Sequence, residues 1–473
     1  MTSLSRRVSV LLSAAVLIAA ASAQADVRLP KIFGDHMVIQ QKLPIHVWGW
    51  ADAGEAVTVS IGEKKATATA GTDGKWKVTL DALEAGGPVE MTVAGKNSIT
   101  LTDVLIGEVW VGSGQSNMQW TVAASDNAEQ EIAAADFPQI RLFTVTRKVA
   151  AEPQEDVEGA WTTATPETVK NFSAVAYFFG RELHKELDVP VGMINTSWGG
   201  TIVEAWTSRE TLQSDPDFQP ILERSKNFQE NNPNQASVLY NGMIKGLIPF
   251  GIRGAIWYQG ESNVSRAEQY AELFPAFIAD WRKNWGQGDF PFLFVQLAPF
   301  RYQGQDPRSL AELWEAQLKT LSVINTGMAV TTDIGNVKDI HPKNKQEVGR
   351  RLALWARAAV YGQDVVYSGP LYKSMQVEDN KVRLSFKHVD GGLVAKDGEL
   401  THFQIAGDDG EFVPAKATIE GETIVVSSDQ VENPAAVRFA WDDAAEPNLF
   451  NAAGLPASPF RTDTFPMVTA GKR

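Results

Sequence analysis

The chain has 473 residues, more than a single hydrophobic core normally supports, so two or three domains are expected. Its formal net charge of −14 repels polyanions, which argues against nucleic acid or an anionic membrane as partner and favours a neutral substrate. The sequence contains no cysteine, and this excludes disulfides, thiolate metal sites and a cysteine nucleophile.

Residues 1–25 have the pattern of a secretory signal peptide. Arg6 and Arg7 precede an apolar run at residues 8–21, and Ala23-Gln24-Ala25 fits a cleavage site of small residues. The run is shorter than the ~20 residues that span a bilayer, which disfavours a membrane anchor. We therefore expect export to the periplasm or the cell exterior, without membrane insertion.

Residues 26–101 follow a strand pattern. Apolar and polar residues alternate at 57–61, and Asp73-Gly74 is a typical hairpin turn. An N-terminal β-sandwich domain is predicted here. Its tryptophans, Trp48, Trp50 and Trp76, could form a sugar platform, but core positions are favoured.

Residues 102–364 alternate strand-like and helical stretches, which is typical of βαβ units. We predict a three-layer α/β/α domain around a parallel sheet. The helices are expected at 173–187, 266–285, 309–321 and 343–361. An apolar stripe on the last of these should face the sheet: Val348, Leu352, Trp355 and Ala359.

Residues 365–473 return to short strand-like runs separated by Gly, Asp and Pro. This pattern predicts a C-terminal β domain. The expected strands lie at 381–386, 402–405, 423–426 and 436–440.

Four segments of the middle region place chemically active residues directly after a predicted strand. They are Gly114-Gln115-Ser116-Asn117, Ser197-Trp198-Gly199-Gly200, Gly260-Glu261-Ser262-Asn263 and Asp339-Ile340-His341. Ligands bind outside the carboxyl ends of parallel strands, so these segments are expected to converge. Their residue types indicate a serine hydrolase.

Ser116 follows a turn of small residues that can lift its hydroxyl out of the sheet. A serine nucleophile needs a general base, usually histidine. Four of the six histidines lie in the β regions (His36, His46, His388 and His402), and His184 lies on a charged helix. His341, which follows a strand of the parallel sheet, is the predicted base.

The four segments together resemble the SGNH hydrolase superfamily and, within it, the sialate O-acetylesterase-like family of carbohydrate esterases. The resemblance extends over residues 101–362. It implies that Ser116 is the nucleophile and His341 the base. It also implies an oxyanion hole formed by the backbone N–H groups of Ser116 and Gly200 and the side-chain amide of Asn263.

The acid that orients the histidine stays open, because the resemblance implies Asp three residues before His341 and this chain has Lys338 there. The candidates are Asp339, Glu261 and Asp333, in that order. An ion pair of Glu261 with an arginine such as Arg253 or Arg266 is an equally good interpretation of that glutamate.

The aromatic residues Trp198, Trp206 and Tyr258 are predicted to contact substrate, because indole and phenol rings stack on sugars. We expect a carbohydrate O-acetylesterase acting on plant or other exogenous glycans, without cofactor or metal. A sialate O-acetylesterase is the alternative, a noncatalytic glycan-binding protein is the alternative from another class, and a long-chain esterase is a third. The sequence does not determine the oligomeric state.

Overall fold

The computed structural model describes residues 26–473 of the chain. The predicted signal peptide, residues 1–25, lies outside the described residues. Within residues 26–473, no helix is both long and apolar enough to cross a membrane.

The N-terminal region consists of short strands with alternating buried and exposed residues. They are β1 (Val38–Gln40), β2 (Ile45–Trp50), β3 (Ala56–Ile61), β4 (Lys64–Thr69), β5 (Lys75–Leu80), β6 (Gly86–Ala94) and β7 (Ser98–Gly114). β2 and β5 form an antiparallel ribbon, and β3, β4 and β6 join the sheet to which β7 belongs. The turns at Gly62 and Gly74 reverse the chain within this region.

β7 continues from the N-terminal region into the catalytic region without a break. Its first half pairs with β6 and β1, whereas residues 108–114 pair with β10 (Val191–Asn195) and β11 (Gly254–Tyr258). The predicted boundary between residues 101 and 102 falls inside this strand. The N-terminal and catalytic regions thus share one eleven-stranded sheet.

The catalytic part of that sheet has the order β13-β12-β11-β7-β10-β8-β9. The remaining strands are β8 (Phe137–Thr144), β9 (Trp161–Ala164), β12 (Phe292–Val295) and β13 (Thr326–Ala329). All of these neighbours are parallel except β9, which is antiparallel to β8. The central strands β10, β11 and β12 are buried throughout, as expected when helices cover both faces of a parallel sheet, whereas β8 and β9 near one edge are partly exposed.

The helices agree with the predicted α/β pattern. They are α1 (Ser116–Gln119), α2 (Ala128–Ala133), α3 (Pro166–Val169), α4 (Ala174–Leu187), α5 (Arg209–Ser214), α6 (Gln219–Arg224), α7 (Ala267–Trp285), α8 (Arg308–Lys319) and α9 (Lys345–Ala359). Short 3₁₀ turns occur at Val122–Ala124, Val203–Trp206, Pro216–Phe218, Lys245–Leu247, Glu261–Arg266 and Thr320–Ser322, and a π-turn at Tyr240–Ile244. On α9, Val348, Leu352 and Trp355 are buried as predicted, whereas Ala359 at the end is exposed.

The C-terminal region contains two four-stranded antiparallel sheets around a separate apolar core. Its strands are β14 (Leu371–Glu378), β15 (Lys381–Lys387), β16 (Leu393–Ala395), β17 (Phe403–Ala406), β18 (Val413–Pro414), β19 (Lys416–Glu420), β20 (Thr423–Ser427), β21 (Ala436–Phe439), β22 (Leu449–Asn451) and β23 (Phe460–Arg461). Arg461 bonds to Glu315 on α8 at 3.0 Å, and Glu312 accepts the backbone N–H of Thr469. The predicted fold class, an α/β domain with β regions on either side in sequence, is confirmed.

Candidate active site

The strand order of the central sheet creates a crevice at the end of β7. From β7 the chain first forms β8 and β10 on one side, and then crosses to β11, β12 and β13 on the other. At such a switch point, the loops that follow the carboxyl ends of neighbouring strands separate and leave room for a ligand. The loops after β7, β10 and β11 therefore border one crevice.

The turn after β7 presents the serine hydroxyl. Gly114 has φ of +133°, and a Cβ at this position would lie 2.2 Å from the carbonyl oxygen of Tyr258 on β11. Only glycine fits there. The N–H of Gln115 donates to that same carbonyl at 2.9 Å, and Ser116 then begins α1. The backbone thus turns sharply at the strand end and directs the hydroxyl into the crevice.

His341 lies in hydrogen-bond contact with the serine: Nε2 is 2.9 Å from Oγ of Ser116. The indole of Trp120 stacks on the imidazole, with ring centroids 4.8 Å apart. Burial lowers the pKa of His341, the positive charge of Lys345 lowers it further, and Asp339 opposes both effects. The imidazole is therefore neutral near pH 7, as a general base must be.

The three candidate acids have different surroundings. Oδ1 of Asp339 lies 3.9 Å from Nδ1 of His341 and accepts the backbone N–H of His341 at 3.0 Å. Asp333 is held by Arg351 in a bidentate pair at 2.6 and 2.7 Å. Oε1 of Glu261 accepts a hydrogen bond from another side chain, that of Asn117. Of the three, Asp339 faces the imidazole.

The ion pair that was the other interpretation of Glu261 does not form with either arginine. Arg253 bonds to Glu108, with Nε 2.7 Å from Oε2, and Arg266 bonds to Glu204 at 2.9 Å. Glu261 is buried, and this burial raises its pKa. The prediction of an arginine partner was wrong because both arginines are engaged by other buried carboxylates.

Asn117 connects three of the four catalytic segments, a role that was not predicted from the sequence. Its Nδ2 donates to Oε1 of Glu261 at 2.5 Å and to the carbonyl of Ile340 at 3.0 Å. Its Oδ1 accepts from Nζ of Lys345 at 2.5 Å. Lys345 is fully buried, and burial lowers its pKa to about 7. The serine turn, the segment after β11 and the histidine loop are thus fixed to one another.

The backbone N–H groups of Ser116 and Gly200 have no acceptor within the described part of the chain. Gly200 has φ of +74°, and the neighbouring N–H of Gly199 donates to Oε1 of Gln119 at 2.7 Å. A Cβ on Gly199 would lie 3.3 Å from Cβ of Ser116, so this loop runs directly beside the serine. The N–H groups of Ser116 and Gly200 are therefore available to a developing oxyanion.

The side chain of Asn263 has a fixed orientation. Its Oδ1 accepts from Nε2 of Gln259 at 2.7 Å and from the N–H of Val203 at 3.1 Å, and its Nδ2 donates to Glu204 at 2.9 Å. An amide has two donor hydrogens on Nδ2. One of them has no partner in residues 26–473. Sequence reasoning missed the orienting role of Glu204.

Of the three aromatic residues predicted to contact substrate, one remains a candidate and two do not. Trp198 is half-buried, and the guanidinium of Arg147 lies 5.7 Å from its ring centroid. Trp206 and Tyr258 are fully buried and cannot reach a substrate. Trp206 packs edge-to-face on Trp257 in the core, and Tyr258 is the last residue of a buried strand. Proximity in sequence to a catalytic segment did not predict the direction of these side chains.

No group of three His, Asp or Glu side chains in residues 26–473 is arranged to hold a metal ion. The chemistry offered by the described residues is that of a hydroxyl, an imidazole and N–H donors. A serine hydroxyl in contact with a neutral imidazole, beside backbone N–H groups without acceptors, is the arrangement of a serine esterase.

Comparison with known proteins identifies the family. Residues 106–357 match the family described as carbohydrate esterase, sialic acid-specific acetylesterase, and the chain belongs to this family. A carbohydrate acetylesterase from Xanthomonas citri is 41% identical, with a TM-score of 0.87 over 93% of this chain and 100% of that chain. The protein is therefore a carbohydrate O-acetylesterase, a carboxylic ester hydrolase as predicted.

Two mammalian relatives show similarity over nearly the whole length. Sialate O-acetylesterase of Rattus norvegicus is 31% identical, covering 90% of this chain and 92% of its own. The enzyme of Homo sapiens is also 31% identical, covering 94% of each chain. The predicted membership of a sialate O-acetylesterase-like family is confirmed.

Proposed function

We propose that this enzyme is exported and removes acetyl groups from neutral, exogenous glycans such as those of plants, by a Ser–His–acid mechanism. The observation that carries the mechanism is the 2.9 Å contact between Nε2 of His341 and Oγ of Ser116. The acidic chain and the half-buried Trp198 beside the serine favour a neutral sugar over a polyanion.

The reaction has two steps. His341 takes the proton of Ser116 as Oγ attacks the acetyl carbonyl, and the N–H groups of Ser116, Gly200 and Asn263 stabilise the oxyanion. The C–O bond to the sugar breaks, and the sugar oxygen leaves with the proton from His341. Water, deprotonated by His341, then attacks the acetyl-serine; the bond to Oγ breaks, Oγ takes the proton from His341, and acetate is released.

Ser116→Ala tests the nucleophile. We expect at least a 10³-fold loss of kcat on a small chromogenic acetyl ester, as for other serine hydrolases that lose this group. An unchanged melting temperature shows that the variant is folded. Turnover within about tenfold of the wild type would contradict the assignment.

The substrate class is tested by acetate release from acetylated xylan, xyloglucan and mannan and from O-acetylated sialic acid. We expect the neutral polysaccharides to be preferred, and acetyl esters to be preferred over butyryl esters. A preference for longer acyl chains would indicate a long-chain esterase instead.

A sialate substrate is the second candidate, and one observation favours it besides the names of the mammalian relatives. Arg147 is exposed beside Trp198, where its guanidinium could pair with a sugar carboxylate. On a sialic acid substrate, Arg147→Ala would raise KM strongly, whereas on acetylated xylan it should change KM little.

Export is tested by fractionation of expressing cells. Residues 1–25 carry the pattern of a signal peptide, so we expect the mature protein outside the cytoplasm with a new N-terminus near Asp26. Mass spectrometry of the isolated protein measures this directly, and an intact N-terminus on a cytoplasmic protein would contradict it.

A further inference from the structure

A cleft of about 660 Å³ lies between the N-terminal β region and the catalytic region, outside the site described above. One wall is the β2–β5 ribbon with Trp48 and Trp50, and the other contains Gln154, Glu155 and Pro249. This volume is within the range of small-ligand sites. Neither the catalytic mechanism nor the folding of the central sheet accounts for it.

Trp48 and Trp50 form an aromatic platform that other side chains partly cover: Phe33 meets Trp48 edge-to-face with ring centroids 4.8 Å apart, and the guanidinium of Arg28 lies 5.6 Å from the ring centroid of Trp50. Trp48 and Trp50 are two residues apart on β2, so their side chains point to the same face of the ribbon, about 7 Å apart along the strand. Both are half-buried, whereas Trp76 on the opposite face is almost fully buried against Gly49. The core position favoured for all three tryptophans thus holds for Trp76, while Trp48 packs against the edge of the core and Trp50 lies outside it.

Polar groups surround the platform. Nε1 of Trp50 donates to Glu155 at 3.4 Å, and Lys75 forms an ion pair with the same carboxylate. Asp73, Lys77 and Lys245 also border the cleft, which thus carries two acidic and three basic side chains. An apolar ring face next to donors and acceptors of both signs matches a sugar ring, which has a C–H face and a hydroxyl edge. A polyanion would lack a matching excess of positive charge.

A second cleft adjoins the first one. It has a volume of about 340 Å³, includes Arg147, and shares Gln154 and Glu155 with the first cleft. Arg147 in turn lies over Trp198, which precedes the Gly199–Gly200 loop beside Ser116. The second cleft thus shares residues with the first cleft and contains the arginine that lies over Trp198.

We propose that the cleft at Trp48 and Trp50 is a distal saccharide subsite, which binds a neutral segment of the same glycan chain whose acetyl group is hydrolysed at Ser116. The inference rests on the proposed action on glycan chains, and it assigns a substrate-binding role to the N-terminal β region. Short substrates cannot occupy both places. The subsite should therefore affect long substrates alone.

Kinetics on substrates of different length test the proposal. For Trp48→Ala/Trp50→Ala we expect KM for acetylated xylan to rise about tenfold, with kcat and all constants for a small chromogenic acetyl ester unchanged. Ile324→Ala is the matched control, because it removes an exposed apolar side chain at the turn before β13. Thr69→Arg, at an exposed position bordering the cleft, obstructs it without removing a packed ring and should act like the double variant.

Direct binding separates this proposal from the proposed function. In a Ser116→Ala background, unacetylated xylo- or manno-oligosaccharides of increasing length are titrated by calorimetry. Binding that strengthens with length and is lost with Thr69→Arg or the double variant supports the subsite. Equal binding by all variants, or no binding, overturns it. Failure of the wild type to deacetylate any polysaccharide, with the small ester still hydrolysed, instead contradicts the proposed function.

Discussion

Lys345 is a fully buried lysine close to the catalytic imidazole. Its Nζ lies 5.2 Å from the ring centroid of Tyr258 and 5.9 Å from that of Trp120, the ring that stacks on His341. Aromatic faces and the amide oxygen of Asn117 partly replace water around the ammonium group. This placement couples the charge of Lys345 to the protonation of His341.

We expect the pH profile to report that coupling. The base acts when neutral, so kcat/KM falls as pH drops through the pKa of His341, and this pKa lies below the ordinary histidine value. Lys345→Met removes a positive charge that lowers this pKa. The acid limb of kcat/KM should therefore move to higher pH.

Charge and packing can be separated in this experiment. Lys345→Arg keeps the charge and should leave the acid limb nearer to that of the wild type, whatever its effect on kcat. An acid limb that stays in place in Lys345→Met would show that burial alone sets the pKa of His341.

The identity of the acid is tested by comparing Asp339→Asn, Glu261→Gln and Asp333→Asn. We expect the largest loss of kcat, on the order of 10² or more, for Asp339→Asn, because its carboxylate faces Nδ1 of His341. Asp333→Asn should mainly lower the melting temperature, since it breaks the bidentate pair with Arg351. A larger kcat loss for Glu261→Gln than for Asp339→Asn would identify Glu261, and not Asp339, as the acid that orients His341.

For individual residues, the sequence predicted the reacting side chains better than the side chains that hold them in position. Ser116 and His341 could be inferred because few residue types perform acyl transfer and few histidines follow a strand. Asn117 and Lys345 could not, since their roles depend on partners more than 140 residues away in the chain. The predicted substrate contacts of Trp206 and Tyr258 were wrong for the same reason, because neighbouring elements determine that both rings are buried.

The turn between β7 and α1 is the element that positions the nucleophile. Gly114→Ala would place a methyl group against the carbonyl of Tyr258 and strain a positive φ, at a cost of roughly 1–3 kcal/mol. The serine would shift, so we also expect roughly a 10²-fold lower kcat. Thermal melting and ester turnover measure the two effects.

Gly34→Ala is the control for this prediction, because Gly34 has ordinary φ and no atom lies within 4 Å of the place that an added methyl group would occupy. It should leave the melting temperature and kcat unchanged. Wild-type turnover in Gly114→Ala would mean that the turn does not need glycine for catalysis.

Among elements, the long helices and buried strands follow from sequence periodicity, and their observed bounds differ from the predicted ones by a few residues. Ser173 caps α4, for example, where the predicted helix began. The boundary at 101/102 illustrates what periodicity does not reveal. The hydrophobic pattern changes from alternating to continuous where the strand passes from a half-exposed to a fully buried position. It does not mark a domain boundary, because β7 is a single strand through this point.

In the whole molecule, Glu108 forms hydrogen bonds that link the N-terminal region to the catalytic region. Its buried carboxylate binds Arg253 ahead of β11, Gln41 in the N-terminal region and Tyr361 after α9. Arg253→Ala would leave this carboxylate without its cation. We expect a loss of roughly 3 kcal/mol in unfolding free energy, measured by urea denaturation, with little change in KM of the folded enzyme.

A surface ion pair provides the control. Lys283→Ala removes the partner of Glu210, and both side chains are largely exposed. It should leave the denaturation midpoint unchanged. Equal denaturation midpoints for Arg253→Ala and Lys283→Ala would show that the ion pair between Arg253 and Glu108 does not stabilise the fold.

The shared strand β7 has a consequence for biosynthesis. Its catalytic half must wait for partners that begin only at Val191 and Gly254, the second of them 140 residues after Gly114. At roughly 5–20 residues per second, translation leaves this apolar segment without its final neighbours for many seconds. The first half of β7, in contrast, can pair at once with β6 and β1, which have already left the ribosome. The pairing of β7 with β6 and β1 can therefore form before its catalytic half acquires β10 and β11.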